Sequence, residues 1–463
     1  SKDCMRGDLF VAIKGLKLNG NDFVFDAARQ GAIAVISEDQ MPENFSLPWL
    51  QVKNARRALA QAAAIVYFHP SRELKLVGVT GTNGKTTTVY LIDSILKAAF
   101  GRSAMLTTIA NRIAEIEQEA TRTTGEASDT QKFLRKAVTA GCRAAAMEVS
   151  SHAIDLHRAD LLEFDSVVFT NLTQDHLDYH KNMEDYFQVK RRLFDGSLST
   201  EKAKAAINID CSYGRRLTEV FDGEIFTYGL NREAKVYTTE HKLSLDGLFL
   251  KVETPVGSFE AKSSLVGRPH IYNILAATSS ALSLGIELEK IAAGIESLRA
   301  VPGRFERVPL EEEFTVVVDY AHTDDALKNV LETARQLVTG RIICLFGCGG
   351  DRDKSKRPLM GKAAAEGSDL VIITSDNPRS EDPEQIIDQA EVGVKLGNKN
   401  YYKIIDRREA IQFAIDQAKP GDLIVVAGKG HENYQILKNE TLHFDDKEVV
   451  IEAVRARHLA ARR

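Results

Sequence analysis

Thr80-Gly81-Thr82-Asn83-Gly84-Lys85-Thr86-Thr87 carry the densest chemistry in this 463-residue chain. Glycines let backbone N–H groups close on phosphate oxygens, Lys85 can reach the β- and γ-phosphates, and the Thr86 hydroxyl can hold Mg2+. The spacing departs from G-x-x-x-x-G-K-[ST], because the first glycine would fall at Val79; Gly78 and Gly81 flank it instead. A glycine turn that merely caps a helix is the bland alternative. Gly-Lys-Thr directly after an apolar run favours an ATP site.

Four further polar clusters each follow an apolar run. Glu148-Val149-Ser150-Ser151-His152 offers a carboxylate that could complete a Mg2+ site with Thr86. Asn171 to His176 and Asp319-Tyr320-Ala321-His322 end two more runs. In Asp376-Asn377-Pro378-Arg379 an arginine fork and an amide could clamp a carboxylate, the alternative being a turn with an exposed arginine. His176, Asp178 and His180 invite a zinc reading that the absence of H-E-x-x-H weakens. Gly347-Cys348-Gly349-Gly350-Asp351-Arg352 lacks the third glycine of G-x-G-x-x-G, which disfavours a dinucleotide site.

These clusters need strands to end on and helices to begin at. The run Leu74 to Val79 reads as a strand, and Val89, Ile92, Ile95, Leu96 and Ala99 recur at helical spacing up to Phe100. A helix near Thr130 to Ala140 and strands at Ala144 to Val149 and Asp165 to Thr170 continue the alternation, which implies a parallel sheet covered on both faces. Before it, strands at 9–12 and 32–37 and helices at 23–30 and 55–68 form a small α/β unit, closed by His69-Pro70. Residues 224–262 read as a small antiparallel appendage, and Val301-Pro302-Gly303 as a hinge. Strands at Phe314 to Val318, Arg341 to Phe346, Leu370 to Thr374 and Leu423 to Ala427 define a second doubly wound domain.

A formal net charge of −5 argues against a nucleic-acid binder. The 5 cysteines are scattered without a C-x-x-C pair, so neither a disulfide frame nor a cysteine zinc site is implied, and a reducing compartment fits. No membrane span or signal peptide is read from the sequence. Small-molecule partners are expected.

The ordered set T-G-T-N-G-K-T-T, E-V-S-S-H, N-L-T-x-D-H-L-D-Y-H, D-Y-A-H-T and G-K-G-H-E resembles the Mur ligase family of peptidoglycan synthesis over essentially the whole chain. The resemblance implies three α/β domains: an N-terminal UDP-substrate-binding domain over 1–72, a central P-loop ATPase-like parallel sheet over 73–302 and a C-terminal Rossmann-like, amino-acid-binding domain over 303–463. It implies ATP held by Gly81, Thr82, Asn83, Gly84, Lys85, Thr86 and Thr87, with Asn273, Arg304, Asp319, Tyr320 and His322. Lys85, Glu148, His176 and Lys190 become the catalytic set, and Thr86, Glu148, His176 and Lys190 the Mg2+ set. In this family the lysine matched by Lys190 is carbamylated by CO2, although the residue by itself passes for an exposed helix lysine.

Thr123, Thr124, Ser150 and Arg158 match residues around the muramoyl dipeptide and Ser1 a uridine-contacting serine, and the resemblance implies that Lys190 also lies beside the substrate. Asp376, Asn377, Arg379, Arg352, Gly428 and Glu432 match contacts to the incoming amino acid. Lys2, Asn19, Asn21, Leu156 and Asp324 depart from the family pattern, mostly at the uridine end. The implied reaction activates the D-glutamyl carboxylate of UDP-N-acetylmuramoyl-L-alanyl-D-glutamate as an acyl phosphate, which the amine of meso-diaminopimelate displaces. L-Lysine, lacking the distal carboxylate, is the alternative acceptor. A folylpolyglutamate synthase-like ligase and an ATP-gated binding protein are the rival readings. A cytoplasmic monomer is expected, with no membrane or nucleic-acid partner.

Overall fold

The computed structural model describes residues 4–15, 18–120, 122–177, 179–198, 203–397 and 400–461. At its centre an eight-stranded sheet runs in the spatial order Ile225–Tyr228, Lys204–Asn208, Ser166–Phe169, Lys75–Thr80, Ala144–Glu148, Ser103–Leu106, Ala110–Ile113, Ile116–Glu119. Neighbours are parallel as far as Ser103–Leu106, and the last two strands form an antiparallel hairpin. Alternate residues of each strand feed opposite cores, the period-2 rule of a strand. Val77, Val79, Ala144, Ala146 and Val168 pack with Val89, Ile92 and Ile95 of the helix Lys85–Phe100. Leu76, Ala145, Met147, Val167 and Phe169 pack with Leu134, Tyr186 and Phe187 on the other face. Both faces are dry, so the strand Ala144–Glu148 is buried throughout and reads as an unbroken apolar run until its terminal carboxylate.

A three-stranded parallel sheet, Leu9–Ala12, Ala34–Ser37 and Trp49–Gln51, forms the N-terminal unit. The antiparallel strands Tyr237–Ser244, Gly247–Thr254 and Gly257–Ser263 make the expected appendage. It starts later than the composition suggested, because Ile225–Tyr228 pairs instead with Lys204–Asn208 as the edge of the central sheet. The helix Ala127–Thr139 begins ahead of its apolar stripe, since Glu126 and Asp129 build a capping box that satisfies its first free N–H groups.

The C-terminal sheet has the order Glu306–Arg307, Thr315–Asp319, Leu423–Ala427, Ile342–Phe346, Leu370–Ile373, Tyr401–Lys403, parallel except for the first pair. Behind it, Arg407 and Asp446 form a bidentate ion pair with both side chains fully buried, joining the helices Arg407–Gln417 and Asp446–Ala461. Breaking such a pair from one side costs about 3–5 kcal/mol. The two doubly wound units meet at the glycine loop, where Asn83 Nδ2 donates to Asp325 Oδ2 (3.0 Å) and Arg304 Nη2 to Thr86 Oγ1 (3.2 Å). Strand C-termini of both sheets therefore face one cleft, the place where open α/β sheets bind ligands.

Candidate active site

The strand Lys75–Thr80 ends in a turn that only glycine can make. Gly81 has φ +148°, and a Cβ there would lie 1.9 Å from Thr170 Oγ1; Gly84 has φ +84° and immediately precedes the helix Lys85–Phe100. The segment Thr170 to Thr173 braces the loop. Asn83 N donates to Asn171 Oδ1 (2.9 Å), Thr170 Oγ1 to Asn83 O (2.7 Å) and Thr82 Oγ1 to Thr173 O (3.2 Å). Lys85 Nζ folds back on Gly81 O (3.1 Å) and Thr82 O (2.8 Å), and burial lowers its pKa against the opposing pull of Glu148. Thr87 is buried one residue into the helix beyond Thr86.

The first hydroxyl of that helix meets the end of the neighbouring strand. Thr86 Oγ1 donates to Glu148 Oε1 (2.8 Å), which also accepts from Thr108 N (2.8 Å), while Thr108 Oγ1 donates to Glu148 Oε2 (3.1 Å). Glu148 is 1% exposed, bonded by hydroxyl and amide donors and interacting electrostatically with Lys85. A hard oxygen set of this kind fits Mg2+, which takes few protein ligands and completes its shell with phosphate and water. Thr108 was not legible in the sequence; it lies two residues past a short, fully buried strand with no alternation to mark it.

Lys190 departs most from its sequence reading. Its side chain is 1% exposed, with Nζ donating to Gly81 O (2.9 Å) and, more weakly, Thr80 Oγ1 (3.3 Å), 4.8 Å over the Tyr186 ring. Burial, reinforced by the charge of Lys85, pushes its pKa well below the usual lysine value. A neutral amine is the nucleophilic form that CO2 adds to.

His176 stands between these groups and the cleft, its imidazole 4.9 Å from that of His152. Burial lowers its pKa to about 4, against the pull of Asp175, whose Oδ1 accepts from His176 N (2.9 Å). The zinc reading finds no support. His180 is buried and bonds Ser151 Oγ (2.9 Å), Asp178 lies outside the described residues, and among those described no group of three or more His, Cys, Asp or Glu could hold a metal ion.

Thr124, Ser150 and Arg158 gather beside Glu148. Thr124 Oγ1 donates to Glu148 O (2.9 Å) and accepts from Ser150 N (3.3 Å), and Arg158 Nη1 donates to Thr124 O (3.4 Å). Ser150 caps the helix Ser151–Asp155, and the Thr123 and Thr108 hydroxyls lie 3.1 Å apart, within hydrogen-bond distance. Ser1, together with Lys2, lies outside the described residues.

Of the expected nucleotide contacts, Asn273 lies against Gly84, close enough that a Cβ there would sit 2.5 Å from its Oδ1. Asn273, Asn83 and Gly84 line a cavity of about 410 Å3 together with Arg268, Tyr272 and Asp210, none of them singled out by motif. Arg304 stacks over the Tyr320 ring at 4.8 Å. Asp319 accepts from Phe305 N (2.6 Å) and Ala321 N (2.8 Å), so its carboxylate holds the segment that carries Arg304. His322 donates Nδ1–H to Tyr320 O (2.8 Å), which puts the ring's other nitrogen, Nε2, in the non-protonated form when the imidazole is neutral.

Tyr320 and His322 line a second cavity of about 640 Å3 that runs from Thr123 and His176 to Arg352, Asp376, Asn377, Arg379, Gly428 and Glu432. At its far end Asn377 Nδ2 donates to Glu432 Oε2 (2.7 Å), Arg379 Nη1 donates to Gly350 O (2.9 Å), and Arg352 Nη1 to Asp351 O (3.1 Å). Gly428 faces Asp376 Oδ2, and its missing side chain keeps this end open. Burial, with Asp376 as the next cause, raises the pKa of Glu432.

Three family models together span most of the chain: the Mur ligase family catalytic domain over 1–69, the Mur ligase middle domain over 79–281 and the Mur ligase glutamate ligase domain over 303–430. The chain belongs to the Mur ligase family. It is 48% identical over 449 residues, 97% of this chain and 91% of that protein, to the UDP-N-acetylmuramoyl-L-alanyl-D-glutamate–2,6-diaminopimelate ligase of Solibacter usitatus. The enzyme of the same name from Geobacter sulfurreducens is 44% identical over 475 residues, 98% of this chain and 93% of that protein. Among solved structures, a UDP-N-acetylmuramoyl-L-alanyl-D-glutamate–2,6-diaminopimelate ligase aligns with a TM-score of 0.69 at 34% identity, covering 99% of this chain and 94% of that one. A Mycobacterium tuberculosis folylpolyglutamate synthase shares the fold, with a TM-score of 0.64 at 17% identity over 80% of this chain and 92% of that one.

Proposed function

We propose that this Mur ligase joins meso-diaminopimelate to the D-glutamyl carboxylate of UDP-N-acetylmuramoyl-L-alanyl-D-glutamate, with ATP cleaved to ADP and phosphate, as a cytoplasmic monomer. The observation that carries the reading is the cleft that runs from Thr123 and His176 to Asp376, Asn377, Arg379 and Glu432, beside the cavity that Asn83 and Gly84 of the glycine loop line. A lysine-adding enzyme has no use for the Arg379 fork, since lysine lacks the distal carboxylate. We assign 1–72 to the uridine end, 73–302 to ATP and the muramoyl dipeptide, and 303–463 to the amino acid. Among the described residues no helix is long and apolar enough to cross a membrane.

In this mechanism the glycine loop's N–H groups and Lys85 hold the β- and γ-phosphates, and Arg304 adds charge from the opposite wall. Thr123, Thr124, Ser150 and Arg158 orient the muramoyl dipeptide so that its carboxylate meets the γ-phosphate. Thr86, Glu148, His176 and a Lys190 carbamate would hold Mg2+, which would supply charge neutralisation for the phosphates. Carbamylation turns Lys190 from a buried amine into an anionic oxygen donor, which suits that set. The acyl phosphate then meets an amine delivered by the far pocket. Asp376 and Glu432 offer acceptors to the distal ammonium, and Arg379 with Asn377 and Arg352 holds the distal carboxylate.

Purified protein supplied with ATP, the UDP-muramoyl dipeptide and meso-diaminopimelate should release phosphate and yield the UDP-muramoyl tripeptide by mass. Phosphate release with a folate or without any dipeptide, or equal turnover of L-lysine, would overturn the assignment.

A further inference from the structure

The G-K-G-H-E motif contributes Gly428 and Glu432 to the far pocket, yet its lysine faces away from solvent. The Lys429 side chain is 0% exposed. Its Nζ lies 3.6 Å from Asp376 Oδ1, 3.6 Å from Glu432 Oε2 and 3.3 Å from Asn377 Oδ1, and 5.7 Å from the centre of the Tyr434 ring. These are three residues of the acceptor pocket gathered by one buried cation.

We propose that Lys429 is a positioning residue for the distal ammonium of the incoming amino acid, the buried counter-charge that sets Asp376, Asn377 and Glu432 in the arrangement that receives it. The inference rests on the acceptor reading above and deepens it.

Two buried carboxylates facing one pocket repel each other, and one of them would take up a proton unless a cation offsets them. Of the neighbouring cations, Arg407 is spent on its bidentate pair with Asp446, and Arg379, whose Nη1 bonds Gly350 O and Asn377 O, is assigned to the distal carboxylate. Lys429 has ion pairs, among the described residues, only with Asp376 and Glu432. With it, the carboxylate pair and the lysine sum to one net negative charge, the complement of one ammonium.

Geometry adds to charge. Asn377 Oδ1 accepts from Lys429 Nζ and from Ile436 N (2.9 Å), so its Nδ2 must point at Glu432 Oε2. Asp376 Oδ1, buried and beyond hydrogen-bond distance of Lys429, has no hydrogen-bond partner among the described residues. It is an acceptor waiting for a donor, at the wall of the cleft.

The test compares wild type with Lys429→Met, which keeps the side-chain volume and removes the charge, using two acceptors. meso-Diaminopimelate has the distal ammonium; 2-aminopimelate has the same chain and both carboxylates without it, and is read as substrate or competitive inhibitor. The expected result is a rise of about tenfold or more in the KM for meso-diaminopimelate, about 1.4 kcal/mol per tenfold, with the KM for ATP and the constant for 2-aminopimelate within about twofold of wild type. In a Glu432→Gln background, Lys429→Met should add less than about threefold, because the pair it serves is already broken. That double variant removes one charge of each sign, and its comparison with Glu432→Gln alone stands even where Lys429→Met fails to fold. Equal losses for both acceptors, or an undiminished loss in the Glu432→Gln background, would overturn the proposal. Wild type that uses neither acceptor would overturn the acceptor reading instead.

Discussion

Arg379→Ala isolates the choice of amino acid from the rest of the reaction. In the protein, hydrogen bonds from this guanidinium run from Nη1 alone, to Gly350 O and to Asn377 O (3.4 Å), so among the described residues Nε and Nη2 are left for a ligand. Two parallel N–H donors match a carboxylate. A hydrogen bond to a charged group is worth about 1.5–3 kcal/mol, so losing the fork should lower kcat/KM for meso-diaminopimelate about 10- to 150-fold. The lost bond to Gly350 O adds about 1 kcal/mol of destabilisation, to be checked by thermal unfolding. Initial rates of tripeptide formation, measured with meso-diaminopimelate and with L-lysine at saturating ATP, separate the possibilities. L-Lysine has no distal carboxylate, so its slow rate should be unchanged, and the KM for ATP should stay within about twofold. A parallel loss with L-lysine, or a matching rise in the KM for ATP, would refute the assignment of Arg379 to the distal carboxylate.

Three other perturbations probe the phosphate end and the fold. Chelation should stop turnover and Mg2+ restore it; in Glu148→Gln, which keeps the contacts to Thr86 and Thr108 but loses the charge, the Mg2+ concentration for half-maximal rate should rise about tenfold or more. Intact-protein or peptide mass measured without acid treatment should show one added CO2 on Lys190, and depleting bicarbonate should slow wild type while leaving the already weak Lys190→Met variant unaffected. His270, fully buried with Nδ1 against Asn273 Nδ2 (3.2 Å), has its pKa lowered to about 4 by burial. The unfolded chain therefore binds the proton first, so stability is full above about pH 6.5 and is lost as pH falls towards 4, by up to about 3 kcal/mol. Denaturant unfolding at both ends of that window should show a smaller difference for His270→Gln.

The strands and helices that carry the glycine loop were legible because they obey simple periodicities: an apolar run into Gly81 and a 3.6-residue stripe along Lys85–Phe100. The polar clusters were legible as well, because in a parallel sheet buried on both faces the first polar residues mark the strand ends, as Glu148 and Asp319 do, and as Thr374, two residues before Asp376, does. Short buried strands such as Ser103–Leu106 were not, and Thr108 was missed with them. The Ile225–Tyr228 strand was placed in the wrong sheet, because its local pattern does not say which edge it joins.

The fold class, the family and the glycine loop all follow from local spacing and order, which the sequence carries alone. Burial and partnership were decided by tertiary structure. Lys190 sits on a helix whose own pattern would leave it in water, and only the packing of that helix beneath the loop puts its amine against Gly81 O and lowers its pKa. Lys429 lies in a motif that names its neighbours in sequence, and only the convergence of two loops brings Asp376 Oδ1 and Glu432 Oε2 within 3.6 Å of its Nζ. A charge's role is set by what surrounds it at a few ångströms, and residues far apart in the chain supply those surroundings.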